Sequence, residues 1–548
     1  MNASTTWAVP APAAARSRAL PLSLSTLQKL LLPLGTIAFD VLFWNQEIGL
    51  NLALYTLLIV AGTLAGLPRH APQWRSVGFW VLLLGTLLSA ALVVVYGSGA
   101  ARLACLASLV LFLGFRNQPQ LRQVAYAFLT ALGSASRVLP ALLPLLWFSS
   151  GSTGSWPRTR FYGRLLLLPL IILGVFHVLF SLGNSQYAAL SSAVFNKIGE
   201  WLARLFIDIS VPHLLFFVLG LVLTAGAVVL VPIHFFLDQE SQFGEFVRRQ
   251  RDRVASFAVR RPDFRARSFR TLDLRKENLA ALAVFGLVNV LLLVVNAIDI
   301  HWIWFGFTPA PGFDLTQFVH EGTYVLILSI LVAMGIVLWF FRRNLNFYGK
   351  GLPALRWGAT MWVVQNVVLV VSVGLRNYYY ILHTGLAYKR IGVYGFLLLT
   401  LFGLGTVLLK IWQRRSAFSL VRLNAWAVYA IVLLLAAGNW EVWMTRYNLQ
   451  PRFRTVDLGF LLDMPERMLP ELAARESVLD GMTRIVLINR YGYGETEITP
   501  AKAHELVQKR LQRWQKAYPQ YRTWQSWTLA ESQAYQELFG GPKAVVVR

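Results

Sequence analysis

Residues 321–341 read EGTYVLILSILVAMGIVLWFF, and Arg342 and Arg343 follow directly. After the opening Glu321 the stretch carries no charge. Its 21 residues, at about 1.5 Å each, cover the roughly 30 Å of a bilayer's hydrocarbon. A run of this length and polarity reads as a transmembrane helix, and a basic pair at its end marks the cytoplasmic side. The same measure finds further candidate spans near 28–46, 49–67, 77–96, 100–115, 122–149, 164–183, 212–236, 278–298, 357–375, 391–411 and 421–440. The run at 100–115 is short, and the one at 122–149 is long and interrupted by Arg137, Pro140 and Pro144. Between 187 and 209, Lys197, Glu200, Arg204 and Asp208 alternate with Phe195, Ile198, Trp201, Leu202, Leu205 and Phe206 at helical spacing. That pattern predicts an amphipathic helix lying in the membrane interface. The first 27 residues read as a mobile, mildly basic tail without a small-residue cleavage site.

Composition agrees. Of 548 residues, 56% are hydrophobic and only 14% charged, where soluble proteins carry about 25% charge. A soluble multidomain enzyme and a disordered chain are both excluded. The lone Cys105 allows no intrachain disulfide. Against 26 acids stand 51 Lys and Arg, a net of +25, which on a soluble protein would suggest nucleic acid. Position decides otherwise. Arg248, Arg249, Arg251, Arg253, Arg260, Arg261, Arg265, Arg267, Arg270, Arg275 and Lys276 face only Asp252, Asp263 and Asp273, a local net of +8 between two spans. Such a loop belongs in the cytoplasm against anionic lipid headgroups. No nucleic acid is expected as a partner, although Phe257, Phe264 and Phe269 interleave with the arginines.

With that loop inside, residues 299–319 fall outside, Arg342, Arg343, Lys350 and Arg356 inside, Arg376 outside, and Lys410, Arg414 and Arg415 inside. The tail then lies outside. Upstream, Arg16, Arg18, Arg69, Arg75, Arg116 and Arg122 suit a cytoplasmic N-terminus, and Arg158, Arg160 and Arg164 also ask to be inside. Parity then needs 122–149 to form a hairpin split at Ser134–Arg137, or a re-entrant pair. The expected fold is an all-α polytopic bundle of 11–13 spans. From Glu441 onward, 15 basic and 12 acidic side chains in 108 residues mark a small, mainly helical, water-soluble domain on the extracytoplasmic side. Within it, helices are expected at 457–464, 465–477 and 500–516, and a strand at 484–490. Thr528 with Glu531 is expected to form a capping box.

Ionisable groups at membrane depth cost about 2.5–3.5 kcal/mol on insertion scales, so each is a functional candidate. Asp40, Glu47, Asp299, His301, His320, Glu321, Arg376, His383, Lys389 and Arg390 all fall near the outer boundary in this topology. Interfacial ion pairs and snorkelling side chains account for them in the ordinary way. An outward-facing pocket for a polar ligand accounts for them more sharply. A metal site from His301, His320, Glu321 and His383 lacks the HExxH spacing, and neither a metal nor a cofactor is expected. The tyrosines at 378–380, 388 and 394 read first as interfacial anchors, and Asn289, Asn296, Gln365 and Asn366 as interhelical hydrogen-bonding groups. No phosphate-binding loop, dinucleotide fingerprint, nucleophile elbow or CxxC pair occurs.

The runs FDVLFWNQEIGLNLALY (39–55), FVHEGTYVLILSILVAMGIVLWFFRRNLNFY (318–348), RWGATMWVVQNVVLVVSVGLRNYYYI (356–381) and GLAYKRIGVYGF (385–396) resemble a family of uncharacterised bacterial inner-membrane proteins. RYNL (446–449) and DLGFLLDM (457–464) fit the same pattern. The family is the domain of unknown function numbered four-one-seven-three. The resemblance covers the first two spans and the stretch from about 278 to 475, and leaves 97–210 and the last 70 or so residues unmatched. It implies a polytopic protein of the bacterial cytoplasmic membrane and transfers no activity, cofactor or catalytic residue. It draws attention to Asp40, Glu47, His320, Glu321, Arg376, Lys389 and Arg390, which lie in its motifs. The expected function is non-enzymatic transport or sensing through an outward polar cluster. A membrane enzyme acting on a lipid at the outer leaflet, with His320 or His383 as base, and a scaffold working through the C-terminal domain stay open beside it.

Overall fold

A run of buried amides and hydroxyls is what orders the largest group of helices in the computed structural model of the chain. The structure is described for residues 24–147, most of 169–205, 210–248 except 230, 271–305, 307, 315–341, 344–349, 351–488 and 494–540. The helices are α1 (Thr26–Phe43), α2 (Leu50–Ala65), α3 (Val77–Tyr96), α4 (Gly99–Asn117), α5 (Val124–Trp147), α6 (Ser185–Leu205), α7 (Val211–Val228) and α8 (Phe235–Ser241). They continue as α9 (Thr271–Asp299, extended by a π-helical turn to Trp304), α10 (Leu315–Phe340), α11 (Leu352–Thr384), α12 (Tyr388–Gln413) and α13 (Ala417–Ala436). Among the described residues, eight helices are long and apolar enough to cross a membrane, and Leu50–Ala65 and Ile327–Phe340 are shorter apolar helices. The chain is a nearly all-α, polytopic integral membrane protein. The hairpin expected within 122–149 does not form: α5 is continuous through Ser134–Arg137. The Ser136 hydroxyl bonds back to the Gly133 carbonyl at 2.9 Å. A short polar side chain satisfied within its own helix gives the backbone no reason to turn.

The chain divides into two compact units. The first holds residues 1–44, 61–67 and 133–231. Here α1 starts in a capping box, with Ser25 accepting from the Gln28 amide and Gln28 reaching back to Ser25. It packs along α7 where small residues meet: a Cβ on Gly35 would fall 2.5 Å from Thr224, and one on Gly220 2.6 Å from Phe39. Such close approach is how membrane helices gain dispersion energy without a hydrophobic driving force. The described side chains of α6 are largely exposed, with Leu190, Val194 and Phe195 open.

The second unit holds residues 45–60, 68–132 and 232–548. In it α9 and α11 run parallel. Their seam is laddered by Asn289 donating to the Gly358 carbonyl (2.9 Å), Gln365 to Asn289 Oδ1 (2.7 Å) and Asn296 to the Gln365 carbonyl (3.1 Å). Above these, Arg376 meets Asp299 at 2.7 Å, and the π-helical turn returns Trp304 to the Ser372 hydroxyl at 3.0 Å. Gly358, Gln365 and Ser372 recur every seven residues, the spacing that keeps one stripe of a helix on its partner. Around this seam Phe285, Ile330, Phe341, Leu355 and Trp362 form an apolar core. The α3–α4 hairpin packs on α13, where the Ser108 and Tyr429 hydroxyls share a 2.9 Å hydrogen bond.

Residues 440–540 form a lobe in the same unit. Its elements are α14 (Trp440–Asn448), β1 (Thr455–Asp457), α15 (Leu458–Leu462), α16 (Leu469–Ala474), β2 (Arg484–Ile488), β3 (Glu495–Ile498), α17 (Pro500–Tyr521) and α18 (Leu529–Phe539). The sheet order is β1-β2-β3, with β1 parallel and β3 antiparallel to β2. Met444, Leu458, Met468, Leu472, Val507 and Trp514 fill its core. The Thr528 capping box is absent: Thr528 makes no side-chain cap to α18. Glu531 is instead drawn into an ion pair with Arg522, because a guanidinium is a stronger partner for a carboxylate than a backbone amide.

Candidate functional site

The residues singled out from sequence fall into separate environments. In the first unit, Asp40 near the end of α1 accepts from His213 Nε2 at 2.9 and 3.0 Å, and Trp44 stacks on that imidazole with centroids 4.2 Å apart. In the second, Asp299 and Arg376 are a buried ion pair. Arg390 turns back to the carbonyls of Thr384 and Gly385 and lies 4.3 Å over the Tyr380 ring. It lines a pocket of about 170 Å³ with Asp457, whose carboxyl burial pushes upward against the pull of backbone amides. His301, Lys389 and His383 are exposed, and His383 Nδ1 donates to the Tyr379 carbonyl. His320 and Glu321 lie on α10 with side chains outside the described residues, as do all the arginines assigned to lipid contact except the exposed Arg248. Among the described residues no group of three or more His, Cys, Asp or Glu converges as a metal site would require.

Of the ten candidates, Glu47 lines a cavity of about 610 Å³, within the range of ligand sites. Its construction starts at helix ends. The buried Asn51 side chain accepts from the Gly49 and Leu52 amides and donates to the Glu47 carbonyl, which shapes the turn before α2. Main-chain bonds then run from Leu50 to Trp527 (3.0 Å) and from Asn51 to Gln525 (2.7 Å), fastening the turn to the lobe. Next to it, the Gly97–Ser98 connection between α3 and α4 receives Arg467, which donates to the Tyr96 carbonyl at 2.9 Å. Leu386, before α12, exchanges two hydrogen bonds with Asn448 of α14. Chain connections on one side and the lobe on the other thus form the wall.

The charged lining is largely spoken for. Glu441 and Arg467 form a two-pronged ion pair at 2.5 and 3.0 Å with side chains 5% and 2% exposed, and Tyr388 donates to Glu441 at 2.7 Å. Arg510 holds Glu466 at 2.8 Å, and Arg522 holds Glu531. Arg102, in the first turn of α4, stands apart. Among the described residues its side chain has no ion-pair partner, while Glu47 attracts it and Arg467 repels it from a distance. Sequence reading did not single out Arg102. The signal available was the tripeptide Gly97-Ser98-Gly99 before it, a tight turn feeding a helix N-terminus.

A family model described as a domain of unknown function (DUF4153) matches residues 58–474. The chain belongs to this family. The resemblance to an uncharacterised family of membrane proteins therefore holds, while its number is corrected from four-one-seven-three to 4153. Long apolar runs ending in Arg and Tyr are selected by the bilayer interface itself, so they separate membrane families poorly. The DUF4153 match also takes in 97–210, which the quoted motifs left out, and ends within the lobe at α16. Comparison with curated proteins and with solved structures gives no match.

Proposed function

We propose that this DUF4153 protein is a non-enzymatic transport or sensory protein of the bacterial cytoplasmic membrane that binds a small polar ligand in the cavity under its C-terminal lobe. The cavity carries the reading: a space of about 610 Å³ bounded by helix connections and by a lobe bonded to them through the main chain. Ligand occupancy would then bear directly on how the lobe sits on the helix ends, which is what a sensor or gate needs. The basic loop at 248–276 lies on the cytoplasmic face against anionic lipid, and the lobe lies outside. Within the second unit the distribution of charge supports this. Arg122, Arg414, Arg415 and Arg422 gather with residues 240–248 at the end of α12 remote from the lobe, tied through Glu240 and Glu245. An outer-leaflet enzyme is the weaker reading, because among the described residues no histidine lines the cavity, and His383 is engaged by its own helix.

The test uses Gly392, which lines the cavity on α12 and has open space around the position of an added Cβ. G392W places an indole on a Cβ that meets no packed atoms and should obstruct the cavity. Thermal shifts of the purified full chain are recorded against a panel of amino acids, polyamines, sugars and phosphate compounds. Stabilisation of wild type by at least one compound, lost in G392W at unchanged basal Tm, is the expected result. Equal stabilisation of both proteins, or of neither, overturns the reading.

A further inference from the structure

Arg102 poses an electrostatic problem that the protein alone does not solve. A guanidinium taken from water toward a low-dielectric site normally meets a carboxylate or several carbonyls, because an uncompensated charge there is costly. The other described arginines of the cavity obey this rule: Arg467 holds Glu441 and the Tyr96 carbonyl, and Arg510 holds Glu466. Among the described residues the half-buried Arg102 side chain makes neither a hydrogen bond nor an ion pair, and its Nε is shut off from solvent. Glu47, on the turn before α2, lines the same cavity with an exposed carboxylate that takes part in no ion pair among the described residues and attracts Arg102 from a distance. The two complementary charges are held on separate rigid connections. The turn bearing Glu47 is fixed by Asn51 and the lobe, and Arg102 is fixed by the 19-residue helix α4. They face the cavity without closing on each other.

Lining between them adds to the same chemistry. Gly99 and Ala100 open α4 and border the cavity, Ser98 caps the Ala101 amide, and the position of a Cβ on Gly99 is open space. The first amides of a helix point outward and favour negative charge. Beside Arg102 they enlarge the region that receives an oxyanion. Elsewhere in the lining, the Glu47 carboxylate supplies what an ammonium group seeks. A simple anion would leave Glu47 unanswered, and a simple cation would leave Arg102 so.

We infer, resting on the cavity being a ligand site, that its ligand is a small zwitterion, with a carboxylate or phosphate at Arg102 and an ammonium group at Glu47. A free amino acid and a phosphoethanolamine headgroup share this chemistry. The experiment compares full-length wild type, R102Q and E47Q in detergent by calorimetric titration and thermal shift. The probes are glycine, β-alanine, glycerophosphoethanolamine, inorganic phosphate and ethanolamine. At least one zwitterion is expected to bind wild type tenfold or more tighter than phosphate or ethanolamine. R102Q and E47Q should each erase that advantage. Because R102Q removes an uncompensated charge, its ligand-free Tm should equal or exceed that of wild type, where a structural arginine would lower it. Repeating the titration in nanodiscs with and without phosphatidylethanolamine assigns the source. Competition by the lipid identifies a headgroup, and undiminished binding a soluble zwitterion. Zwitterion binding unchanged in both variants overturns the inference, as does preference for phosphate, ethanolamine or a neutral compound. If G392W still abolishes that other binding, the cavity reading survives. Absence of stabilisation by every compound removes both.

Discussion

Asp299 and Arg376 show how far a single residue can be read from sequence. The cost of a charge at membrane depth marks both as needing partners, and nothing in the chain says that the partner of one is the other, 77 residues away. Packing of α9 against α11 decides that, at 2.7 Å. D299N should destabilise the protein by about 3–5 kcal/mol, since it strips a buried cation of its carboxylate partner. The apolar double variant D299L/R376L should recover most of the loss. A thermal denaturation series in detergent checks both. If the double variant is no better than the single, the pair does more than compensate charge. Gly49 gives a second prediction. Its backbone lies so close to the lobe that an added Cβ would sit 2.3 Å from the Ser526 carbonyl. G49A should therefore break the main-chain bonds to Gln525 and Trp527, costing about 1–3 kcal/mol at the usual worth of such bonds. Faster proteolysis after residue 440 would report the loosened lobe. Glycine at this position reads from sequence only as a turn residue. The atoms that exclude a side chain come from nearly 480 residues downstream.

Helices were the legible elements, because an apolar run of sufficient length in a membrane protein has one backbone solution. Strands were legible only in part. The run RIVLINR announces β2, whereas β1 has three residues, too few to show a period, and is a strand because it finds Arg484–Val486 alongside. The polar stripe of α9 and α11 was visible as isolated amides, but its continuity came from two helices held parallel and in register. Coupling between N289A and Q365A should average about 0.6 kcal/mol and not exceed ~1.7 in a double-mutant cycle. Additive effects would mean the Asn289–Gln365 bond contributes nothing. In the lobe, His504 on α17 bridges Asp480 and Glu476 at 2.8 Å each. Those carboxylates hold the imidazole pKa above its ordinary value, Asp480 first and then Glu476. A raised folded pKa stabilises fully below the unfolded pKa and is lost as pH climbs through the folded one. H504Q should accordingly lower the Tm at pH 5.5 and have little effect at pH 9. An equal loss at both pH values would point to packing. The ring is largely exposed, so the shift should be small.

At the scale of the whole molecule, charge is a topology label. A reporter fusion at Ser256 should read as cytoplasmic, and one after Gly540 as extracytoplasmic. A cytoplasmic signal from Gly540 would place the cavity on the other face of the membrane. The chain's own composition determined that it is a membrane protein, where its apolar spans fall and which loop carries the positive charge. Each of these depends on the exchange of a local segment between water and lipid, and a local segment contains all the information required. Tertiary structure decided which charges pair, that residues 440–540 cluster with α3, α4 and α9–α13, and that Arg102 and Glu47 border one cavity. Those outcomes depend on contacts between segments separated by tens to hundreds of residues. Their energies arise only once helix ends and lobe have excluded water from the space they share.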